Sequence, residues 1–211
     1  MKRISLWLVV HGSWIIVVGC LLFTFTIISC AKREIKNIGS TGKTIVCFGD
    51  SLTFGYGVAL GEDYPTALAK LVSYPVLNMG IDGNTTIDAL QRIERDVLER
   101  DPYLVIVEFA GNDFLKKVPK ETTARNMRLI VDKIQAKGAM VAVVDISAGV
   151  FLNEYRGLMR RIAQEKQAIF VPRILNKILT NPGMKSDFLH PNAYGYKIVA
   201  QRIYKAIAPY L

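Results

Sequence analysis

Five short runs rich in Val and Ile, set in alternation with segments whose apolar residues recur at helical spacing, constrain this chain more than any other feature. The runs are Thr44-Ile45-Val46-Cys47-Phe48, Pro75-Val76-Leu77-Asn78, Leu104-Val105-Ile106-Val107-Glu108-Phe109, Met140-Val141-Ala142-Val143-Val144 and Ala168-Ile169-Phe170-Val171. Between them lie Leu68, Leu71 and Val72 after Pro65, then Ile87, Leu90, Ile93 and Val97 after Thr86, then Met127, Ile130, Val131 and Ile134, then Tyr155, Leu158, Met159 and Ile162. A last helical pattern carries Ile198, Val199, Ile203 and Ile207. A continuous apolar run is the mark of a strand buried on both faces, and intervening helices are how a chain passes from one parallel strand to the next. The pattern predicts a three-layer α/β/α sandwich around a five-stranded parallel sheet. With 211 residues, 51% of them hydrophobic, the chain can bury one proper core, and a second domain is not expected.

The segment ahead of the first run has a different character. It opens on Met1-Lys2-Arg3, continues through apolar residues from Ile4 to Ile28, and has no acidic residue before Glu34. Residues 1–29 therefore read as a signal peptide or a membrane anchor: long for a cleaved signal, and nearly sufficient to span a bilayer as a helix. Its end, Ile27-Ile28-Ser29-Cys30-Ala31, resembles a bacterial lipobox, in which the cysteine is lipidated; the alternative is a chance cysteine at the edge of an anchor. Residues 30–42 form a linker rich in Lys, Gly and Ser, and the body spans 43–211. Under both readings the body is exported and tethered at a membrane surface, by a lipid on Cys30 or by an N-terminal helix, which places it in the bacterial cell envelope.

Cysteine and charge bound the rest. Cys20 and Cys30 belong to the leader, so Cys47 is the one thiol of the body and no intramolecular disulfide framework is expected; within an apolar run it reads as a small buried hydrophobe. Without Lys2 and Arg3, 25 of the 27 basic residues remain against 18 acids. That excess suits anionic headgroups or acidic polymers, or is simply a solvated basic surface. The charges are scattered and no basic tract interleaved with aromatics occurs, so nucleic-acid binding is not expected.

In an open parallel sheet, ligands bind beyond the carboxyl ends of the strands. There the sequence places Gly49-Asp50-Ser51-Leu52 after the first run, Gly80-Ile81-Asp82-Gly83-Asn84-Thr85 after the second, Gly111-Asn112-Asp113 after the third, and Asp187-Phe188-Leu189-His190-Pro191 before the last helix. Each alone has a bland reading as a turn, a tight connection or a helix cap. Together, at corresponding strand ends, they carry much more.

These blocks, "FGDSLTFGYG", "NMGIDGNTT", "VEFAGND" and "DFLHPN", resemble those of the SGNH or GDSL hydrolases, over essentially the whole body from about Lys43 onward, and most nearly the compact branch of thioesterase I, lysophospholipase and arylesterase enzymes. The resemblance implies a flavodoxin-like sandwich and a serine esterase without metal or cofactor. Matched by position, it implies Ser51 as nucleophile, His190 as general base and acid, and Asp187 as the carboxylate that orients His190. It implies an oxyanion hole made by the Ser51 N–H, the Gly80 N–H and the Asn112 side-chain amide. Substrates implied are short acyl or aryl esters, thioesters and lysophospholipids. O-acetyl groups on envelope polysaccharide are an alternative, as is an idle acyl- or sugar-binding protein; a monomer is expected.

Elementary chemistry agrees with that assignment. A serine hydroxyl is a poor nucleophile near neutral pH and needs a base of matched pKa, and His190 is the body's sole histidine. Asp187 and His190, three apart, can face each other so that the carboxylate fixes the ring tautomer. Asn112 offers a neutral amide to a developing negative charge, whereas Asp50 and Asp113 read as fixing loops. Competing motifs fail. Gly39-Ser40-Thr41-Gly42-Lys43-Thr44 precedes a strand and has Asn37 where a P-loop needs glycine. Gly49-Asp50-Ser51-Leu52-Thr53 lacks the closing glycine of a Gly-x-Ser-x-Gly elbow, and one histidine with one cysteine makes a hydrolytic zinc site improbable.

Overall fold

The computed structural model describes residues 34–148 and 152–211. The chain divides into the units Met1–Glu34 and Ile35–Leu211, and the fold below is that of the second. The expected signal or anchor, the lipidation candidate Cys30 and the first residues of the linker lie outside the described residues. The rest of the linker belongs to the body: Ile35 is buried, and Asn37 Nδ2 donates to the carbonyls of Gln135 and Ala139 at 2.8 and 2.9 Å. No helix among the described residues is long and apolar enough to cross a membrane.

Strands β1 (Thr44–Gly49), β2 (Val76–Gly80), β3 (Pro102–Glu108), β4 (Met140–Val144) and β5 (Ile169–Val171) form one five-stranded sheet in the order β2-β1-β3-β4-β5. Every neighbouring pair is parallel. All of β3 and β4 is buried, whereas β2, at an edge, is only half-covered. The helices are α1 (Ser51–Phe54), α2 (Tyr64–Ala69), α3 (Thr86–Asp96), α4 (Gly111–Leu115), α5 (Lys120–Ala136), α6 (Asn153–Glu165) and α7 (Ala193–Ile207). Helices α2 and α7 pack on each other, and α5 packs on α3 and α6, covering the two faces of the sheet. The expected sandwich is therefore present. From β1 the chain runs outward to β2, crosses back to β3 and then proceeds the other way. That reversal opens a crevice past the carboxyl ends of β1 and β3.

Local chemistry sets the element ends. Asp63 caps α2, with Pro65 in its first turn, and Thr85 and Asp88 form a reciprocal capping box on α3. Two helical faces differ from the predicted ones. Helix α2 stops at Ala69, which leaves Leu71 beyond it and exposed. On α3, Ile93 is buried as predicted and Val97, at its cap, is buried too, but Ile87 is exposed and Leu90 half-buried. The inward face of α3 instead carries Arg92 and Asp96, whose side chains are 8% and 9% exposed. The arginine goes inward because its donors are consumed by backbone carbonyls at the ends of β1 and β2. Cys47 is fully buried in β1, and burial pushes its thiol far up.

Candidate active site

Strand β1 ends on Gly49, where a Cβ would collide with Thr53 Oγ1 and Glu108 Oε2. Only glycine lets the chain turn there so tightly into α1. Asp50 caps that turn, its Oδ1 accepting the Leu52 N–H at 3.1 Å, and Ser51 stands at the first position of α1. Ser51 lines a cavity of about 100 Å3, together with Asp50, Leu52, Asp82, Asn112, Leu115, Leu189 and His190.

The loop 185–191 is closed by an antiparallel bridge between Lys185 and Pro191 and by the Ser186 N–H donating to the His190 carbonyl at 3.0 Å. Within it Asp187 Oδ1 accepts the amides of Leu189 and His190, at 2.7 and 2.8 Å. The His190 ring thereby swings back onto Asp187, with Nδ1 at 2.8 Å from Oδ2 and 3.0 Å from Oδ1. Its other nitrogen, Nε2, lies 3.0 Å from Ser51 Oγ. Burial pushes the Asp187 carboxyl up, but the hydrogen bonds from the His190 ring and from the two amides together outweigh it and hold the group below the usual carboxylate range. The Tyr56 ring lies 4.6 Å from that of His190, and Tyr196 Oη fixes the Tyr56 carbonyl at 3.0 Å, so the imidazole is held by packing as well.

Asn112 arrives through a strained turn. Ala110, between β3 and α4, has φ of 103°, a backbone state that side-chain-bearing residues seldom adopt. Asn112 Nδ2 donates to Asp50 Oδ2 and to the Asn84 carbonyl, both at 3.1 Å. Asp113 is buried and ties three elements, accepting from the Thr86 amide at 2.9 Å, from the Thr86 hydroxyl, and from Thr123 Oγ1 at 3.0 Å. Its loop-fixing assignment fits this geometry.

The structure thus brings Ser51, His190, Asp187 and Asn112 together across 139 residues of chain, and departs from the expectation at Gly80. The Gly80 N–H donates to Asn78 Oδ1 at 2.9 Å, and Gly80 does not line the cavity. A Cβ there would strike the backbone of Thr53 and Phe54. Its glycine is required so that α1 can lie against β2.

Two residues with large roles went unnoticed in the sequence. Arg92 Nε donates to Asn84 Oδ1 at 2.7 Å, Nη1 to the Met79 carbonyl and to Asp96 at 2.9 Å, and Nη2 to the Gly49 carbonyl at 2.9 Å. Its guanidinium also sits 4.5 Å from the centre of the Phe48 ring. Glu108, at the end of β3, is fully buried beneath Asp50. A charged residue on a predicted apolar helix and an acid at a strand end were the available signals. Among the described residues no cluster of His, Cys, Asp and Glu is suited to hold a metal.

Known proteins share this sequence pattern and this fold. The sequence model described as the GDSL-like Lipase/Acylhydrolase family matches residues 47–198. The chain is 24% identical over 178 residues to an arylesterase of Vibrio mimicus, covering 79% of this chain and 89% of that protein. It is 26% identical over 174 residues to thioesterase 1/protease 1/lysophospholipase L1 of Escherichia coli, covering 79% and 84%. Among solved structures, the psychrotrophic esterase EstA from Pseudoalteromonas sp. superposes with a TM-score of 0.70 at 25% identity, covering 80% of this chain and 98% of that one.

Proposed function

Since the chain belongs to the GDSL-like lipase/acylhydrolase family and is a serine hydrolase of esterase type, we propose that Ser51, His190 and Asp187 form its catalytic triad and cleave carboxylic esters through an acyl-enzyme on Ser51 Oγ. One observation carries this reading: the unbroken line from Ser51 Oγ to His190 Nε2 at 3.0 Å and from His190 Nδ1 to Asp187 Oδ2 at 2.8 Å.

In that line His190 Nε2 takes the hydroxyl proton as Oγ attacks the ester carbonyl carbon, and Asp187 stabilises the imidazolium. The C–O bond to the leaving group then breaks and the proton passes from Nε2 to the departing oxygen. Water, activated by the same nitrogen, attacks the acyl carbon and releases acid and free Ser51. The negative charge on the carbonyl oxygen meets the Ser51 N–H at the start of α1 and Asn112 Nδ2 across the cavity, which turns one of its two hydrogens from Asp50 or from the Asn84 carbonyl onto the substrate. Gly80 is not in position to help. Its place falls to the turn 81–84, where Asp82 lines the cavity and Gly83, at φ 74°, presents an N–H that makes no hydrogen bond among the described residues.

The cavity of about 100 Å3 is lined on its apolar side by Leu52, Leu115, Ile146, Leu175 and Leu189, which suits the acyl or aryl part of a small ester. This favours short acyl or aryl esters. The basic start and apolar run of the leader support a location in the bacterial cell envelope, with a lipid on Cys30 or residues 1–29 as the anchor.

Hydrolysis of p-nitrophenyl esters of increasing chain length, by the wild type and by Ser51→Ala and His190→Ala, tests the reading. We expect a short-chain optimum and a loss of at least about 10^4-fold in kcat for either variant. Activity retained in folded Ser51→Ala overturns the triad, and a wild type inactive across the series points to a specialised envelope O-deacetylase or an idle binding protein in place of a general esterase.

A further inference from the structure

The proposed reaction does not use the carboxyl at the end of β3, yet Glu108 is 0% exposed and sits directly beneath the site. Its Oε2 accepts from Thr53 Oγ1 at 2.9 Å and, less closely, from the Asp50 N–H at 3.4 Å. Its Oε1 is sealed from solvent and has no hydrogen-bond partner among the described residues. A buried polar atom without a partner calls for an explanation.

Asp50 supplies one. It is 2% exposed and its two oxygens are already engaged, Oδ1 by the Leu52 amide in the first turn of α1 and Oδ2 by Asn112 Nδ2. The carboxyls of Asp50 and Glu108 act on each other in this buried corner, and two carboxyl groups can share a hydrogen bond only if a proton lies between them. Two adjacent buried carboxyls do not both ionise. Asp50 has the better set of donors, including an amide at the N-terminus of a helical turn, so it keeps the charge and Glu108 keeps the proton. Burial pushes Glu108 well above its ordinary value, and the charge of Asp50 pushes it further.

We propose that Glu108 is a positioning residue for the ester hydrolysis: as a neutral carboxylic acid it donates to Asp50, and so seats the carboxylate that holds both the first turn of α1, which carries Ser51, and the side-chain amide of Asn112. The inference rests on the assignment of Ser51 and Asn112 made above. A neutral acid suits the place, because it supplies a donor without adding a second negative charge where an oxyanion must form. Gly49 leaves the room for it. The other titratable groups that face the pair are Tyr64 and Tyr196, both pushed up by burial and by the charge Glu108 gains on ionising, and His190, which lowers Asp50; Cys47 lies beyond Tyr64. Ionisation of Glu108 would set two charges side by side and force Asp50 or Asn112 to move, so activity carries an alkaline limb that belongs to Glu108.

The test is kcat and KM on p-nitrophenyl butyrate for the wild type, Glu108→Gln, Glu108→Leu and Ser51→Ala, from about pH 6 to about pH 10. Folding is followed in parallel by thermal unfolding. Glutamine keeps the shape and an N–H donor but does not titrate; leucine keeps only bulk. We expect Glu108→Gln to stay within about threefold of the wild type near neutrality and to lose the alkaline limb, and Glu108→Leu to lose roughly 10- to 100-fold in kcat with little change in KM. The proposal is overturned if glutamine loses as much as leucine, if leucine keeps the wild-type kcat, or if wild type and Glu108→Gln share one alkaline limb. Should Glu108→Leu not fold, the comparison of pH profiles between wild type and Glu108→Gln still decides. Ser51→Ala separates the levels: if it stays active the triad reading fails, whereas a dead Ser51→Ala with an unaffected Glu108→Leu sinks this inference alone.

Discussion

Arg92 offers the sharpest test of how the fold supports the site. Replacing it by Met keeps most of the buried stem and removes four hydrogen bonds, to Asn84 Oδ1, the Met79 carbonyl, Asp96 and the Gly49 carbonyl. Truncating one member of a buried ion pair typically costs about 3 to 5 kcal/mol. Here the residual groups are partly rescued. The Gly49 carbonyl still accepts the Ile81 amide at 3.2 Å, and Asp96 still has Arg95 at 2.7 Å. The Met79 carbonyl and Asn84 Oδ1 lose their arginine donor, and Asn84 is near enough to the surface for water to reach. The low end of the range, about 3 kcal/mol, is therefore expected. Against a total stability of about 5 to 15 kcal/mol the protein should remain folded. Arg92 fixes Asn84, and the Asn84 carbonyl holds Asn112, so kcat should also drop by about tenfold, equivalent to about 1.4 kcal/mol. Urea denaturation with a fitted slope, together with p-nitrophenyl ester kinetics, measures both. A cost below about 1 kcal/mol with unchanged kcat would show that the guanidinium is not what organises the turn 81–84. Lysine should rescue little, since one ammonium group cannot reproduce the planar fork of donors.

Two further outcomes are expected. Asp187→Asn should lower kcat by about 10^3- to 10^4-fold, because an amide no longer enforces the His190 tautomer. Asp187 also has a depressed pKa in the folded protein, so its contribution to stability is present above its unfolded value of about 3.9 and is lost as pH falls through the folded one. The stability difference between wild type and Asp187→Asn should accordingly shrink in acid, and a gap that widens there contradicts the assigned cause. Metabolic labelling with a fatty acid, abolished by Cys30→Ser, distinguishes a lipidated Cys30 from a spanning helix, and label retained in the variant refutes the lipid anchor.

The sheet was legible because its strands are read locally. A run such as Leu104 to Phe109 is apolar at every position, whichever way the chain turns next, and burial on both faces is the arrangement that uses it. The Ser51 and Asp187–His190 stretches were legible for a related reason: each is a short segment whose function depends on its own residue types. Helix α3 was half-legible. Its apolar spacing and its capping box are local, but the inward Arg92 could not be read, because its partners are carbonyls of Gly49 and Met79, and a backbone carbonyl carries no side-chain signature.

Gly80 and Glu108 show the same division more closely. A glycine after a strand is equally consistent with an exposed amide and with a close backbone approach. Only the packing of α1 on β2, which puts the Thr53 and Phe54 backbone where a Cβ would stand, decides for the second. An acid at the end of a buried strand reads as an exposed strand terminus until Asp50, 58 residues away in the chain, is folded over it. The sequence by itself determined the layers, the strand count and the candidates for the reacting side chains, since periodicity and residue chemistry are properties of neighbouring positions. Which amide faces the cavity, which carboxyl holds a proton and which arginine is buried were decided by tertiary structure alone. Those properties depend on distances and on exclusion of water between segments far apart in the chain, and neither exists before the chain has folded.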